Sequence, residues 1–122
     1  MTPAEAIEAA FDAWRHLDVE ELVPLFTADA RYEDPLWPEP VIGHDDMREQ
    51  IAGGMAELAD CAITTRRLIT DGDTGMVEAE FRSALASGQG RLDFDFMMLV
   101  ELRDGRIARL AEYFDTRSLL PA

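Results

Sequence analysis

The stretch RYEDPLWPEP, residues 31–40, runs a strand-like alternation up to two acids and stops it at a proline. Ala30, Tyr32 and Asp34 fall on one side of that alternation, and Arg31 and Glu33 on the other. Asp34 therefore shares a face with a tyrosine and stands shortly before Trp37. Two readings of it stay open. As a solvated strand end, the Asp34 carboxylate would help turn the chain before Pro35. As a pocket-facing acid walled by Tyr32, Trp37 and the Phe94, Phe96 and Met98 face of a later strand, it would be desolvated. Its pKa would then climb from about 3.9 toward the range useful for proton abstraction. Tyr32 would offer its hydroxyl either to a substrate or to backbone, and Trp37 would serve either as a ligand contact or as core.

A second group that could do chemistry is Glu80-Phe81-Arg82, an acid and a base two apart on one strand face with Glu78. In water these are an ordinary polar face. Turned inward, their burial would force them to pair as a polar pocket floor. His16 and His44 belong to no metal-ligand spacing, and Cys61 is the only cysteine, so no metal is implied. Gly53-Gly54 and Gly88-Gln89-Gly90 lack the spacing and the lysine of a phosphate-binding loop. No cofactor is expected.

These groups need a scaffold, and composition bounds it. The chain has 122 residues, 48% apolar and 30% charged, which fits one compact domain spanning residues 1–122. The net charge of −14 would repel nucleic acid and anionic membrane surfaces, and it favours a neutral or weakly charged small molecule over a polyanion. A lone cysteine is compatible with a reducing compartment. The opening MTPAEAIEAAF lacks the basic and apolar regions of a secretion signal, and the longest apolar run is FMMLV at 96–100. The expected location is cytoplasmic.

Thr2, Pro3 and Glu5 form a capping box that opens a first helix, with Ala6, Ala9, Ala10, Ala13, Trp14 and Leu17 on one stripe. Asp18 caps a short second helix that buries Leu22, Leu25 and Phe26. ADARYED reads as a strand and the proline-rich PLWPEPVIG as a loop. Met47, Ile51, Met55 and Leu58 keep helical spacing over 44–58. Strand-like runs follow at about 61–70, 75–86, 90–103 and 106–117, the last two joined by the hairpin signal Asp104-Gly105. Alternation turns Phe94, Phe96, Met98, Val100 and Leu102 inward and Asp93, Asp95 and Glu101 outward. In the last run Leu110, Glu112 and Phe114 share one face, while Ile107, Arg109, Ala111, Tyr113 and Asp115 share the other. Neither is cleanly polar, so the outer face is expected to meet a second subunit in a homodimer. Helices first and an antiparallel meander after them make an α+β domain with a curved sheet wrapped around the N-terminal helices.

Three segments together resemble the nuclear transport factor 2-like superfamily. They are DVEELVPLFTADARYEDP at 18–35, Gly43 opening a helix, and Asp104-Gly105-Arg106-Ile107 through Glu112-Tyr113-Phe114-Asp115. Within it the chain looks closest to the ketosteroid isomerases and the SnoaL-like polyketide cyclases. The resemblance extends over nearly the whole chain and implies a cystatin-like α+β cone with a pocket between the helices and the concave sheet. It also implies that Asp34, in its Glu-Asp-Pro setting, is the general base of the isomerase branch. The two oxyanion donors of that branch fall by count on Ala10 and near Met98, neither of which can donate a hydrogen bond.

A second branch, the limonene-type epoxide hydrolases, holds its water with two aspartates and an arginine. Glu112 lies where that branch has one acid. Glu80-Phe81-Arg82 falls, in reversed order, where it has arginine, any residue and aspartate. The expectation is thus a small cofactor-free enzyme that abstracts a proton from, isomerises or cyclises by aldol chemistry a hydrophobic carbonyl-bearing metabolite. Asp34, Arg82 and Glu112 would be catalytic, and Tyr32, Trp37, Glu80, Phe96 and Met98 would contact the substrate. The alternatives are a limonene-type epoxide hydrolase using Glu80, Arg82 and Glu112, or a small-molecule-binding protein without chemistry.

Overall fold

The computed structural model describes residues 1–119. Helix α1 covers Pro3–Arg15, α2 Val19–Leu22 and α3 His44–Ala56; the strands are β1 Phe26–Glu33, β2 Val41–Ile42, β3 Ala62–Asp71, β4 Thr74–Ala84, β5 Arg91–Arg103 and β6 Arg106–Tyr113. Short 3-10 turns occupy Val23–Leu25 and Thr116–Leu119. The expected α+β cone is what forms: three helices against a curved, unclosed six-stranded sheet.

Local chemistry accounts for the helix starts. The Glu5 amide donates to the Thr2 hydroxyl at 3.2 Å, while the Thr2 amide donates to Glu5 Oε1 at 2.8 Å. Each bond satisfies an amide that the first helical turn leaves without a partner. Asp18 Oδ1 likewise accepts from the amides of Glu20 and Glu21 and caps α2. Gly43, at φ +84°, takes a left-handed conformation ahead of α3 that a side chain would resist. On α1 the buried face is Pro3, Ala6, Ile7, Ala10, Phe11 and Ala13. Ile7 and Phe11 thus carry burial that the expected stripe gave to Ala9, Trp14 and Leu17, which are half-buried. On α3 Met47, Ile51 and Met55 are buried as their spacing predicts.

The sheet order is β2-β1-β6-β5-β4-β3, antiparallel at every contact except β1 with β6, which is parallel. β2 is a two-residue rung on Arg31 and Tyr32 inside the segment read as a loop. Pro38 and Pro40 lack an amide hydrogen, but Val41 and Ile42 do not, and the rung forms there. Sheet and α1 meet closely at Gly75, where an added Cβ would stand 2.9 Å from the Pro3 Cβ.

The inward faces of β4 and β5 follow the alternation: Val77, Ala79, Phe81, Phe96, Met98, Val100 and Leu102 are buried. On β6 one expectation is corrected. Ile107, placed outward by simple alternation, is fully buried. Arg109 pairs with Glu101 but Ile107 pairs with Leu102, so Ala108 is an extra residue in a β-bulge that resets which face the chain presents. On the outer face Ile69, Met76, Met97 and Tyr113 remain exposed. No helix among the described residues is long and apolar enough to cross a membrane.

Candidate active site

A cavity of about 190 Å³ lies between α1, α3 and the inner face of the sheet. Its polar end is built where β1 runs beside β6. Parallel register sets Tyr32 against Leu110 and Glu33 against Ala111, so Tyr32 and Asp34 point inward on either side of Glu112. The buried Tyr32 hydroxyl donates to Glu112 Oε1 at 2.6 Å. The Asp34 carboxyl lines the same end of the cavity, near enough to the Glu112 carboxyl to influence its protonation.

Electrostatics assign a proton to Glu112. Burial is the largest effect lifting its pKa well above the usual carboxylate range, and the neighbouring Asp34 carboxyl lifts it further. The Tyr32 hydroxyl pulls the other way, since it donates to the ionised form. Burial, then the charge of Glu112, raises the Tyr32 phenol well above its ordinary value, so it acts as a proton-bearing donor. The Trp14 side chain lines the cavity on the same side. Tyr32, Glu112 and Asp34 make a polar end to a largely apolar cavity.

Asp34 both turns the chain and lines the cavity. Its Oδ1 accepts from the Leu36 amide at 2.8 Å, and its backbone oxygen from the Trp37 amide at 3.0 Å. This is a side-chain turn of the kind an aspartate before proline favours. The same turn sets Trp37 beside Tyr32, with ring centres 5.2 Å apart. Asp34, Glu112, Tyr32, Trp37, Phe96 and Met98 all line the cavity. Of this group, Glu112 is the carboxyl that burial lifts well above the usual carboxylate range.

Glu80 and Arg82 are not brought to the site. Alternation on β4 gives the inner face to Ala79, Phe81 and Ser83 and turns Glu80 and Arg82 outward. There the Arg82 guanidinium bonds Glu80 at 3.2 Å and Asp95 at 3.3 Å, and Arg66 reaches Glu80 at 2.6 Å. The expected convergence of Glu80, Arg82 and Glu112 on one water therefore does not occur. Ala10 and Met98 do line the cavity, so the two positions where the resemblance has oxyanion donors supply none here.

Several lining residues were not singled out. Trp14, placed by its spacing on the apolar stripe of the first helix, faces the cavity. Gln50, Gly54 and Glu57 line it from α3 and its C-terminal end, at a spacing that places them on one helical face. That periodicity was legible, but nothing in it distinguishes a cavity mouth from solvent. Among the described residues, no cluster of His, Cys, Asp and Glu is arranged to hold a metal ion.

Fold and cavity together define an NTF2-like, cystatin-like α+β protein with an acid-bearing pocket. A family model for the SnoaL-like domain matches residues 7–110, and the chain belongs to that family. Among solved structures it is similar to a hypothetical protein of ketosteroid isomerase-like fold from Catenulispora acidiphila, in complex with trimethylamine. The two share 22% identity over 98% of this chain and 92% of that one, with a TM-score of 0.86. A SnoaL-like polyketide cyclase structure from Jannaschia sp. is 16% identical over 96% and 88% of the chains, with a TM-score of 0.81. An LEH-like epoxide hydrolase from M. tuberculosis is 21% identical over 93% and 83%, with a TM-score of 0.78. At these identities the likeness is one of fold. No curated protein matches the sequence.

Proposed function

We propose that this protein is a cofactor-free acid-base enzyme in which Asp34 takes a proton from a carbon acid and Glu112 delivers one to the oxygen. The observation that carries this reading is the carboxyl pair itself, Asp34 and Glu112 lining one end of an apolar cavity, with Glu112 bonded by Tyr32 at 2.6 Å. Abstraction beside a carbonyl by Asp34, with the Glu112 proton passing to the carbonyl oxygen, yields an enol. Return of a proton at another carbon isomerises the substrate, and attack of the enol on a second carbonyl closes a ring. Tyr32 steadies Glu112 as its charge develops.

A cavity of about 190 Å³ is smaller than the roughly 300–1,000 Å³ usual for drug-sized ligands. A compact, apolar carbonyl compound is therefore the proposed substrate class. The test is wash-in of deuterium from D2O beside the carbonyl of a panel of small ketones and lactones, followed by NMR. Exchange should fall about 10²- to 10⁴-fold in Asp34→Asn; exchange unchanged by that substitution would remove the reading. The proton on Glu112 supports one alternative, protonation of an epoxide oxygen, and hydrolysis of small epoxides lost in Glu112→Gln would favour it.

The outer face belongs to the same proposal. Ile69 pairs with Met76, and Met97 with Tyr113, so the exposed apolar groups form a band across the sheet. A homodimer would cover it, and Met97→Asp should then convert a dimer to a monomer in light scattering.

A further inference from the structure

The walls of the cavity hold every aromatic residue of the chain except Phe26 and Tyr113. The ionisable groups among the described lining residues are Tyr32, Asp34, Glu57 and Glu112, with no arginine or histidine. The chain has no lysine. The arginines on the neighbouring strands, Arg31, Arg82 and Arg109, are engaged on the outer face by Glu33, Glu80, Asp95 and Glu101. Asp34 and Glu112 thus share an aromatic cavity whose lining includes no cation of the protein's own.

A ligand can supply that cation. Aromatic faces attract a cation lying within about 6 Å of the ring centre, most strongly where water is excluded. The net charge of −14 also concentrates cations around the molecule as a whole. A cavity with aromatic walls and acids at one end satisfies an ammonium ion on both counts. It leaves an anion without a single positive contact, and a neutral molecule gains only the apolar part.

We propose that the cavity takes an organic cation, an amine or ammonium compound whose charged nitrogen sits between the Asp34–Glu112 pair and the aromatic wall. The inference rests on the acid-base reading of that pair and adds the substrate class: a compact carbonyl compound bearing a cationic nitrogen. Such a nitrogen also acidifies the C–H next to it, which eases the abstraction assigned to Asp34.

The test is calorimetric titration with choline and with 3,3-dimethyl-1-butanol, in which carbon replaces the nitrogen and the charge is lost while the shape is kept. Choline should bind at least about tenfold more tightly at pH 8, a factor that one nearby carboxylate readily supplies. Its advantage should grow with pH as Glu112 ionises. The groups facing Glu112 are Tyr32 and Asp34 from β1 and its turn and Glu57 across the cavity, while α1 and β5 present Trp14, Phe96 and Met98, which do not titrate. Asp34→Asn should remove most of the choline preference, and Glu112→Gln should remove its growth with pH, while both leave the alcohol's affinity unchanged, which also reports that the cavity is intact. Equal affinity for the two probes, tighter binding of the alcohol, or no choline binding would overturn the inference. Deuterium exchange lost in Asp34→Asn would stand in any of those cases, so the two readings fail separately.

Discussion

Glu33 and Asp34 are neighbours in sequence, as are Ala111 and Glu112, yet the two faces of β1 and β6 treat their acids in opposite ways. Outside, Glu33 accepts from Arg31 at 2.7 Å and from Arg109 at 3.0 Å, and these arginines hold it below its ordinary pKa. Arg109 also bonds Glu101 at 2.7 Å. Inside, Glu112 meets a phenol and a second carboxyl but no cation, and burial drives it upward. The same residue type becomes a fixed anion on one side of a strand pair and a proton carrier on the other. What separates them is where the arginines are, and the cavity receives none.

The largest effect expected to sharpen this contrast is on turnover. Glu112→Gln should lower it about 10²- to 10⁴-fold, the usual contribution of a positioned acid or base, while Glu33→Gln leaves it unchanged. Equal losses in steady-state assays of the two variants would erase the functional difference between the faces. Next comes Tyr32→Phe. It removes a buried hydrogen bond and should cost about 1–2 kcal/mol in urea denaturation. It should also move the Glu112 titration still higher in carboxyl-detected NMR, because the Tyr32 hydroxyl favours the ionised form.

The two faces should also differ in the sign of their pH dependence. Glu112 keeps a proton in the fold that the unfolded chain gives up near about 4.3. The unfolded state then binds fewer protons, and stability falls as pH rises from there through the raised native value. Denaturation midpoints of Glu112→Gln should lack that fall. Glu33 does the reverse: its contribution is present above the ordinary carboxyl range and disappears as pH falls through its lowered native pKa. As Glu33 is a partly exposed ion pair, Glu33→Gln should cost no more than about 0.5 kcal/mol near neutral pH. That loss should fade in acid.

The elements legible in the sequence were those whose causes are local. The Thr2-Pro3-Glu5 box, the Met47-Ile51-Met55 spacing and the Asp104-Gly105 hairpin each specify structure through near neighbours, and each forms. The inward face of β5 was legible because its alternation is unbroken. Ile107 was misplaced because a bulge depends on the partner strand, which the chain's own alternation does not report. Glu80 and Arg82 were drawn inward by resemblance, although Ala79, Phe81 and Ser83 between and beside them already marked the buried side. Asp34 and Glu112 were set in one site only by the resemblance; the residues between them do not report that they meet. That meeting depends on the parallel pairing of β1 with β6, two segments joined through most of the molecule.

The extra residue at Ala108 has a consequence for descent as well as for form. Counted in strict alternation from the buried Ile107, the inward residues of β6 would be Arg109, Ala111 and Tyr113. With Ala108 looped out they are Leu110 and Glu112. Removing Ala108 would give plain alternation from Ile107 through Leu110 to Glu112, so the same side chains would still face the chamber. The bulge thus absorbs the gain or loss of one residue here without changing what the lining presents, and a lineage can cross that step with its acid in place.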